Sequence, residues 1–355
     1  MKKRIFAILV AAAMVVASFA GCGAKEVAST VEPEITENVP TTNEAETNVE
    51  EPATEDAVKI SIVATIFPEY DWVREIIKGH EDKFDVTLLL DSGADLHSYQ
   101  PTVEDITKVS SADMFIYVGG ESDEWVEDAL SEAVNKDLVS VNLLEVLKDT
   151  VKEEEVVEGM QGEEEEEEEG EEGEEEGPEY DEHVWLSVRC ASALVSDLAE
   201  EIASIDPENK ADYEKNAEDY NAQLKELDDE YAKVFENTKT ILFGDRFPFR
   251  YMVDDYGVKY YAAFVGCSAE TEASFETITF LSKKVDELSL KAVFIIETSD
   301  GSIAKTIIEN SKDKDAKVYV LDSMQSVTAA NVADGETYLN VIKSNLDVLK
   351  EAFAE

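Results

Sequence analysis

The sequence predicts an α/β protein of two lobes, each a mostly parallel sheet flanked by helices, joined by one long rigid helix. Short β-branched runs alternate with helical patterns, which is typical of parallel sheets with helices on both faces. This alternation occurs twice, in residues 58–206 and in residues 238–355. Between them, residues 207–237 have the length and apolar spacing of a single helix.

The first 22 residues have the features of a secretory signal peptide. A basic start precedes an apolar run that is too short to span a bilayer and that ends at Ala20-Gly21-Cys22. These last residues resemble a lipobox, so Cys22 is predicted to become the lipid-modified first residue of the mature chain. Residues 23–57 are rich in Pro, Glu and Thr and predict a disordered tether.

Three strands and two helices alternate in the N-terminal lobe. The strands are predicted at residues 59–65, 84–90 and 114–118, and the helices at residues 69–78 and 102–110. Ligands of parallel sheets bind beyond the carboxyl ends of the strands. The loops after Leu90 and Val118 are therefore expected to face the binding site.

An acidic loop, residues 153–179, interrupts this lobe. Residues 151–182 contain eighteen Glu, one Asp and one Lys, so eighteen of the fifty-two net negative charges lie there. Without apolar periodicity the loop cannot bury a core and is predicted to be mobile. Its glutamates either gather cations weakly near the protein or form a solvated insertion without a role in binding.

The connecting helix and the C-terminal lobe are predicted from the same apolar periodicities. An apolar stripe along the helix consists of Tyr213, Tyr220, Leu224, Leu227 and Tyr231. In the second lobe, strands are predicted at residues 239–243, 259–264, 292–296 and 317–321, and helices at residues 248–256, 274–287 and 338–353.

Charge and motif content exclude several classes of function. A net charge of -52 and a pI near 4.1 argue against nucleic acid or anionic lipid as a partner and favour cations. Beyond Cys22 only Cys190 and Cys267 remain, which excludes a dense disulfide framework but leaves one bridge open. We find no glycine-rich phosphate loop, nucleophile elbow or paired-cysteine zinc motif.

Two of the three histidines stand in loops beside acidic and aromatic residues. His97 lies in Asp95-Leu96-His97-Ser98-Tyr99, and His183 in Asp181-Glu182-His183-Val184-Trp185. Imidazole nitrogen suits zinc and other late divalent metals, and carboxylates complete such sites with oxygen. Each histidine taken alone is more often a structural hydrogen-bonding group.

Five segments resemble, in the same order, the zinc and manganese substrate-binding lipoproteins of ABC importers. They are residues 64–68, 95–102, 113–120 with Trp125, 181–186, and Tyr256-Gly257. The resemblance covers nearly the whole mature chain. It implies two lobes on a rigid helix with one metal in the cleft. It also implies a monomeric protein that is not an enzyme, is lipid-anchored to the outer face of the cell membrane, and delivers metal to an ABC permease.

The resemblance also implies a set of metal ligands. His97 and His183 match histidines that bind metal in the family, and Asp322 matches a carboxylate from the second lobe. The alternative role for Asp322 is to cap a helix or to form a turn. Glu182 stands where the family usually has proline, a change expected to leave ligation unaffected.

The third ligand position departs from the family pattern. Counting back from Gly257, Arg246 falls on this position, and a guanidinium cannot coordinate a cation. The adjacent Asp245 is the candidate, with a water, Glu297 or Glu272 as alternatives. Arg246 has the alternative role of pairing with a carboxylate and orienting it.

The sequence therefore predicts Zn²⁺ as the transported ligand, with Mn²⁺ as the alternative for the same kind of protein. A surface adhesin or interaction lipoprotein is the alternative from another class. Two histidine loops favour metal binding because adhesion does not require them. A metallohydrolase would need an open coordination position and a positioned base, and no further residues support one.

Overall fold

The computed structural model describes residues 58–162, 179–268, 270–312 and 314–354. The predictions for residues 1–57, which include Cys22 and the tether, and for residues 163–178 of the acidic loop lie outside this part of the chain. All described residues belong to one compact unit, Glu55–Glu355. The domain boundaries given above stay predictions.

A four-stranded parallel sheet in the order β2-β1-β3-β4 forms the N-terminal half. Its strands are β1 Ile60–Ala64, β2 Phe84–Leu88, β3 Met114–Tyr117 and β4 Val139–Asn142. The helices between and after them are α1 Phe67–Ile76, α2 Val103–Ser111, α3 Trp125–Ser131 and α4 Leu143–Leu147. The first three strands were predicted; β4 was missed because it is only four residues long.

The turn after β1 is held by the buried carboxyl group of Glu69. Oε2 of Glu69 accepts hydrogen bonds from the backbone N–H of Thr65 at 2.8 Å and of Ile66 at 3.2 Å. Ile66 is the N-cap residue and Glu69 the third residue of α1, so this contact closes the start of the helix. The end of β1 is joined to β3 by the hydrogen bond from Thr65 N–H to the carbonyl of Ile116 at 3.1 Å, and to the segment after β2 by that from Leu90 N–H to the carbonyl of Thr65 at 3.1 Å.

Two long helices follow the acidic loop. They are α5 Val188–Ile205 and α6 Lys210–Phe235, separated by a turn at Pro207. The predicted helix of residues 207–237 is thus confirmed in kind but begins three residues later, since residues 207–209 form a 3₁₀ turn. The apolar stripe of α6 packs against α5 and α1. This apolar face explains why a helix with so many charged residues packs against α5 and α1.

The C-terminal half contains two pairs of parallel strands. These are β5 Thr240–Leu242 with β6 Lys259–Tyr261, and β7 Ala292–Ile296 with β8 Lys317–Leu321. A parallel bridge between Phe243 and Phe294 joins the pairs. The remaining helices are α7 Arg250–Asp255, α8 Phe275–Leu288, α9 Ser302–Asn310, α10 Ala329–Ala333 and α11 Tyr338–Phe353. The predicted α/β fold class is confirmed.

Buried contacts connect the two halves. The indole N–H of Trp185 donates to the carbonyl of Ser323 at 2.9 Å, and the Tyr338 hydroxyl donates to the carbonyl of Trp185 at 2.6 Å. The Tyr338 backbone N–H donates to Asp71 at 2.8 Å. One apolar core extends through both halves. Within the described residues, no helix is both long and apolar enough to cross a membrane.

Candidate metal centre

His97 lies in a short turn that follows β2. The carboxylate of Asp95 accepts the backbone N–H of His97 at 3.1 Å and begins the turn Leu96–Ser98. On the ring, Nδ1 lies 2.9 Å from the hydroxyl of Ser122 and 3.4 Å from Oε2 of Glu182. Both contacts orient the imidazole so that Nε2 points away from them.

His183 is fully buried and held by its neighbour in sequence. Oδ1 of Asp181 accepts both the backbone N–H and the Nδ1–H of His183, each at 3.0 Å. A carboxylate can only accept, so Nδ1 carries the hydrogen and Nε2 presents its lone pair. Burial lowers the pKa of His183 below its usual value, and contact with Asp181 only partly opposes this. The ring is therefore neutral at physiological pH, the state a metal requires.

The two rings meet at their Nε2 atoms. Nε2 of His97 lies 3.0 Å from Nε2 of His183, and the ring centroids are 5.0 Å apart. Each Nδ1 faces a carboxylate. Because His183 carries its hydrogen on Nδ1, its Nε2 accepts at this contact and the Nε2–H of His97 donates, so a metal ion would take the place of that shared hydrogen between the two Nε2 atoms. Imidazoles held in this way by outer carboxylates are the usual arrangement around zinc.

A cysteine that the sequence analysis did not consider as a ligand joins this pair. Ligand atoms of His97, His183 and Cys267 all lie within 4.8 Å of one another. Across the described residues this is the one group of three or more His, Cys, Asp or Glu side chains so close together. Cys267 is half-buried, and both it and Cys190 are free thiols. The bridge that the sequence left open is thus not formed.

Two glycines allow the close approach of these elements. A Cβ on Gly266 would lie 2.9 Å from Cε1 of His183, and a Cβ on Gly120 would lie 2.4 Å from Oε1 of Glu182. Gly120 also has a φ of 85°, which side chains other than glycine rarely adopt. The loops that carry Cys267 and Ser122 therefore reach the histidines only because these positions lack a side chain.

Glu182, for which we expected no influence on ligation, lies directly beside the histidines. Its Oε1 accepts the backbone N–H of Ser122 at 2.9 Å. Its Oε2 is buried without a hydrogen bond and has His97 Nδ1 as a neighbour at 3.4 Å. The two buried carboxylates Asp181 and Glu182 make the surroundings of the ring pair strongly favourable for a cation.

Asp245 and Arg246 lie near the histidines, but the carboxylate of Asp245 is not part of the group. Its oxygens accept the backbone N–H groups of Arg246 at 2.9 Å and of Ile296 at 3.4 Å. Arg246 forms an ion pair with Asp95. Burial raises the pKa of Asp95, but the charge and hydrogen bond of Arg246 together with the contacts of His97 outweigh burial and hold this pKa below its usual value. With His97, Asp245 and Arg246 line a cavity of about 450 Å³.

The other carboxylates considered as ligands also lie outside the group. Asp322 accepts the backbone N–H of Met324 at 2.7 Å, and Glu297 accepts that of Ser323 at 2.8 Å. Burial and then the charge of Glu297 raise the pKa of Asp322 to about 6. Glu272 is exposed. A ligand role for these residues, as for Asp245, stays a prediction.

The flanks of the acidic loop are fixed close to the histidines. Glu154 N–H donates to the carbonyl of Glu179 at 2.8 Å, and Asp181 N–H donates to that of Lys152 at 2.9 Å. On the other side, Gln161 N–H donates to the carbonyl of Ala263 at 2.9 Å. The loop thus starts and ends beside the segments that carry Cys267 and His183.

Comparison with known proteins identifies a family. The sequence profile of the family described as "Zinc-uptake complex component A periplasmic" matches residues 62–352. The high-affinity zinc uptake system protein ZnuA of Bacillus subtilis is 32% identical over 297 residues, covering 83% of this chain and 88% of that protein. The zinc-binding lipoprotein AdcA of Streptococcus pneumoniae is 30% identical, and this chain spans 56% of its length.

Solved structures agree with the sequence comparison. The Zn(II)-bound ZnuA-like domain of Streptococcus pneumoniae AdcA superposes with a TM-score of 0.64 at 25% identity, covering 84% of this chain and all of that domain. The metal-dependent lipoprotein YcdH of Bacillus subtilis superposes with a TM-score of 0.65 at 27% identity. The sheet arrangement and the long helix are therefore shared with metal-binding proteins of known structure.

Proposed function

The chain belongs to the family of periplasmic zinc-uptake complex component A proteins, and on this premise we propose that it captures Zn²⁺ between His97 and His183. The family is one of extracytoplasmic solute-binding proteins. In such a system the loaded protein docks on the membrane permease of an ABC importer. Binding and delivery are the whole of the proposed activity, without catalysis.

The convergence of the two Nε2 atoms at 3.0 Å carries this proposal. Two neutral imidazoles form a borderline-soft donor pair that suits zinc, whereas manganese prefers a shell dominated by oxygen. The carboxylates of Asp181 and Glu182 stand behind the rings rather than beside the Nε2 atoms. They raise the basicity of the imidazoles and offset the charge of the ion.

The anchoring of the protein is a separate part of the proposal. Lipid modification of Cys22 would hold the folded unit at the outer face of the membrane, with residues 23–57 as the spacer. A relative of this chain, AdcA of Streptococcus pneumoniae, is itself described as a lipoprotein. We further propose that the protein acts as a monomer, since one chain supplies both histidines.

The proposal is tested by measuring zinc affinity of His97→Ala and His183→Ala by competition with a chromophoric chelator. Each change removes one of the two nitrogen ligands and is expected to weaken binding by at least about 100-fold. His80→Ala is the matched control, because His80 pairs with Asp212 at 2.9 Å and is not part of the group. Retention of wild-type zinc affinity in either ligand variant would contradict the proposal.

A further inference from the structure

The metal site needs a third protein ligand, and three carboxylates that the sequence predicts for this role, Asp245, Asp322 and Glu297, already accept backbone hydrogen bonds. Glu182, which is closer, faces Nδ1 of His97 and not the two Nε2 atoms. Asp245 accepts two backbone hydrogen bonds, and the Arg246 guanidinium next to it carries a positive charge. Asp322 and Glu297 accept backbone N–H groups in the turn after β8. A ligand from another segment would leave all these contacts intact.

We propose that the thiolate of Cys267 is this third ligand and completes a Cys-His₂ zinc site. The inference rests on the proposed function, since it concerns the same ion. Zn–N bonds of about 2.05 Å and a Zn–S bond of about 2.3 Å place tetrahedral ligand atoms about 3.3–3.6 Å apart. The two Nε2 atoms, now 3.0 Å apart, would separate by about 0.3 Å. Because all three ligand atoms lie within 4.8 Å of one another, the sulfur would need to approach by about 1.2 Å at most.

The segment before Cys267 is fixed from two sides. Phe264 forms parallel bridges with Arg246 and with Gln161. The backbone N–H of Ala263 donates to the carbonyl of Asp245 at 3.1 Å. Because this segment is held on both edges, Cys267 is presented at a defined place and not on a free loop.

Beyond Phe264, the chain turns against the ring of His183. The absence of a side chain at Gly266 leaves room for that ring, since a Cβ there would clash with it. The N–H of Cys267 donates to Oε1 of Glu154 at 3.4 Å. The second cysteine, Cys190, lies buried in α5 as a free thiol and forms no disulfide with Cys267.

Zinc binding by this group releases a proton. The ion forms a bond with the sulfur, the S–H bond breaks, and the proton leaves to solvent. One thiolate reduces the charge of the bound ion from two to one, and the nearby carboxylates offset the rest. A soft thiolate favours zinc strongly over manganese, so Cys267 would set the metal preference of the protein.

The test uses the mature chain loaded with Co²⁺ in place of zinc, together with zinc titrations. The wild type is expected to show a thiolate-to-cobalt charge-transfer band in the near ultraviolet and to lose it in Cys267→Ser. The same variant should bind zinc about 10- to 100-fold more weakly. X-ray absorption of the zinc-loaded wild type should show one sulfur at about 2.3 Å. Cys190→Ala, which removes the other thiol, should keep the band.

Two outcomes would overturn the inference: a wild type without the band, or a band that persists in Cys267→Ser. The variant Cys267→Asp keeps an anionic ligand and should bind zinc while its preference for zinc over manganese falls; an unchanged preference also contradicts the assignment. If Cys267→Ser binds zinc like the wild type while His97→Ala does not, the third ligand is wrong and the proposed function stands. If the wild type binds no zinc, the proposed function itself fails.

Discussion

Replacing Gly266 by alanine is expected to weaken zinc binding without unfolding the protein. A Cβ at this position would lie 2.9 Å from Cε1 and 3.1 Å from Nδ1 of His183, and 3.0 Å from the carbonyl oxygen of Phe247. Ordinary van der Waals contact begins at 3.4 Å. The ring or the loop must therefore move by about 0.5 Å to relieve the shortest contact, because protein interiors leave little free space.

A shift of that size matters because metal sites are geometrically strict. Zinc-ligand distances are held within roughly 0.2 Å, and the shift would also disturb the hydrogen bond between His183 and Asp181. Loss of a contact that orients a metal-bound imidazole costs about 10- to 100-fold in affinity, or roughly 1.4–2.8 kcal/mol. We expect Gly266→Ala to lose affinity within this range.

The assay is a zinc titration against a chromophoric chelator, paired with urea unfolding of the metal-free protein. Gly162→Ala is the matched control, since the nearest atoms to its Cβ would be the methyl groups of Val156 at 3.7 and 4.0 Å. That contact is ordinary, so the control should bind zinc normally. An unchanged affinity in Gly266→Ala, or an equal loss in the control, would contradict the role assigned to Gly266.

Three further predictions concern the surroundings of the site. Asp181→Asn is expected to lower zinc affinity by about 10- to 100-fold, because the amide is a weaker acceptor for Nδ1–H of His183; an unchanged titration would contradict the role of Asp181. Burial, and then the charge of Asp123, raises the pKa of Glu69 from 4.5 to about 8, so the folded protein holds a proton that the unfolded chain releases. This stabilisation is complete below pH 4.5 and is lost as the pH rises through about 8. As the pH rises over that interval, the free energy of unfolding of the wild type should fall faster than that of Glu69→Gln, by up to roughly 1.4 kcal/mol per pH unit. Parallel pH curves of the two proteins in urea unfolding would count against a buried protonated carboxyl. Deleting residues 163–176 is expected to change equilibrium zinc affinity by no more than about twofold and to slow metal capture only at low ionic strength, since salt screens the field over roughly 10 Å at 0.1 M. Stopped-flow measurements at low and high salt test this, and a large loss of affinity would place a ligand inside the loop.

Much of the fold could be predicted because strands and helices leave local patterns. The strands at Ala292–Ile296 and Lys317–Leu321 and the last helix, Tyr338–Phe353, occur at the predicted residues. Helix α5 and strand β4 were missed. The first does carry a start signal, Ser187, whose hydroxyl accepts the backbone N–H groups of Arg189 and Cys190, but this signal was not used to predict the helix. The second is only four residues long.

Residue type and periodicity are properties of neighbouring residues, so the α/β class and the candidates His97 and His183 could be predicted from local patterns. The folded chain was needed to show that their Nε2 atoms meet across 86 positions of sequence and that Arg246 pairs with Asp95 across 151. It was also needed to show that Cys267 joins the histidines. No local pattern encodes these distances, since they arise only when separate loops converge on one face of the packed strands.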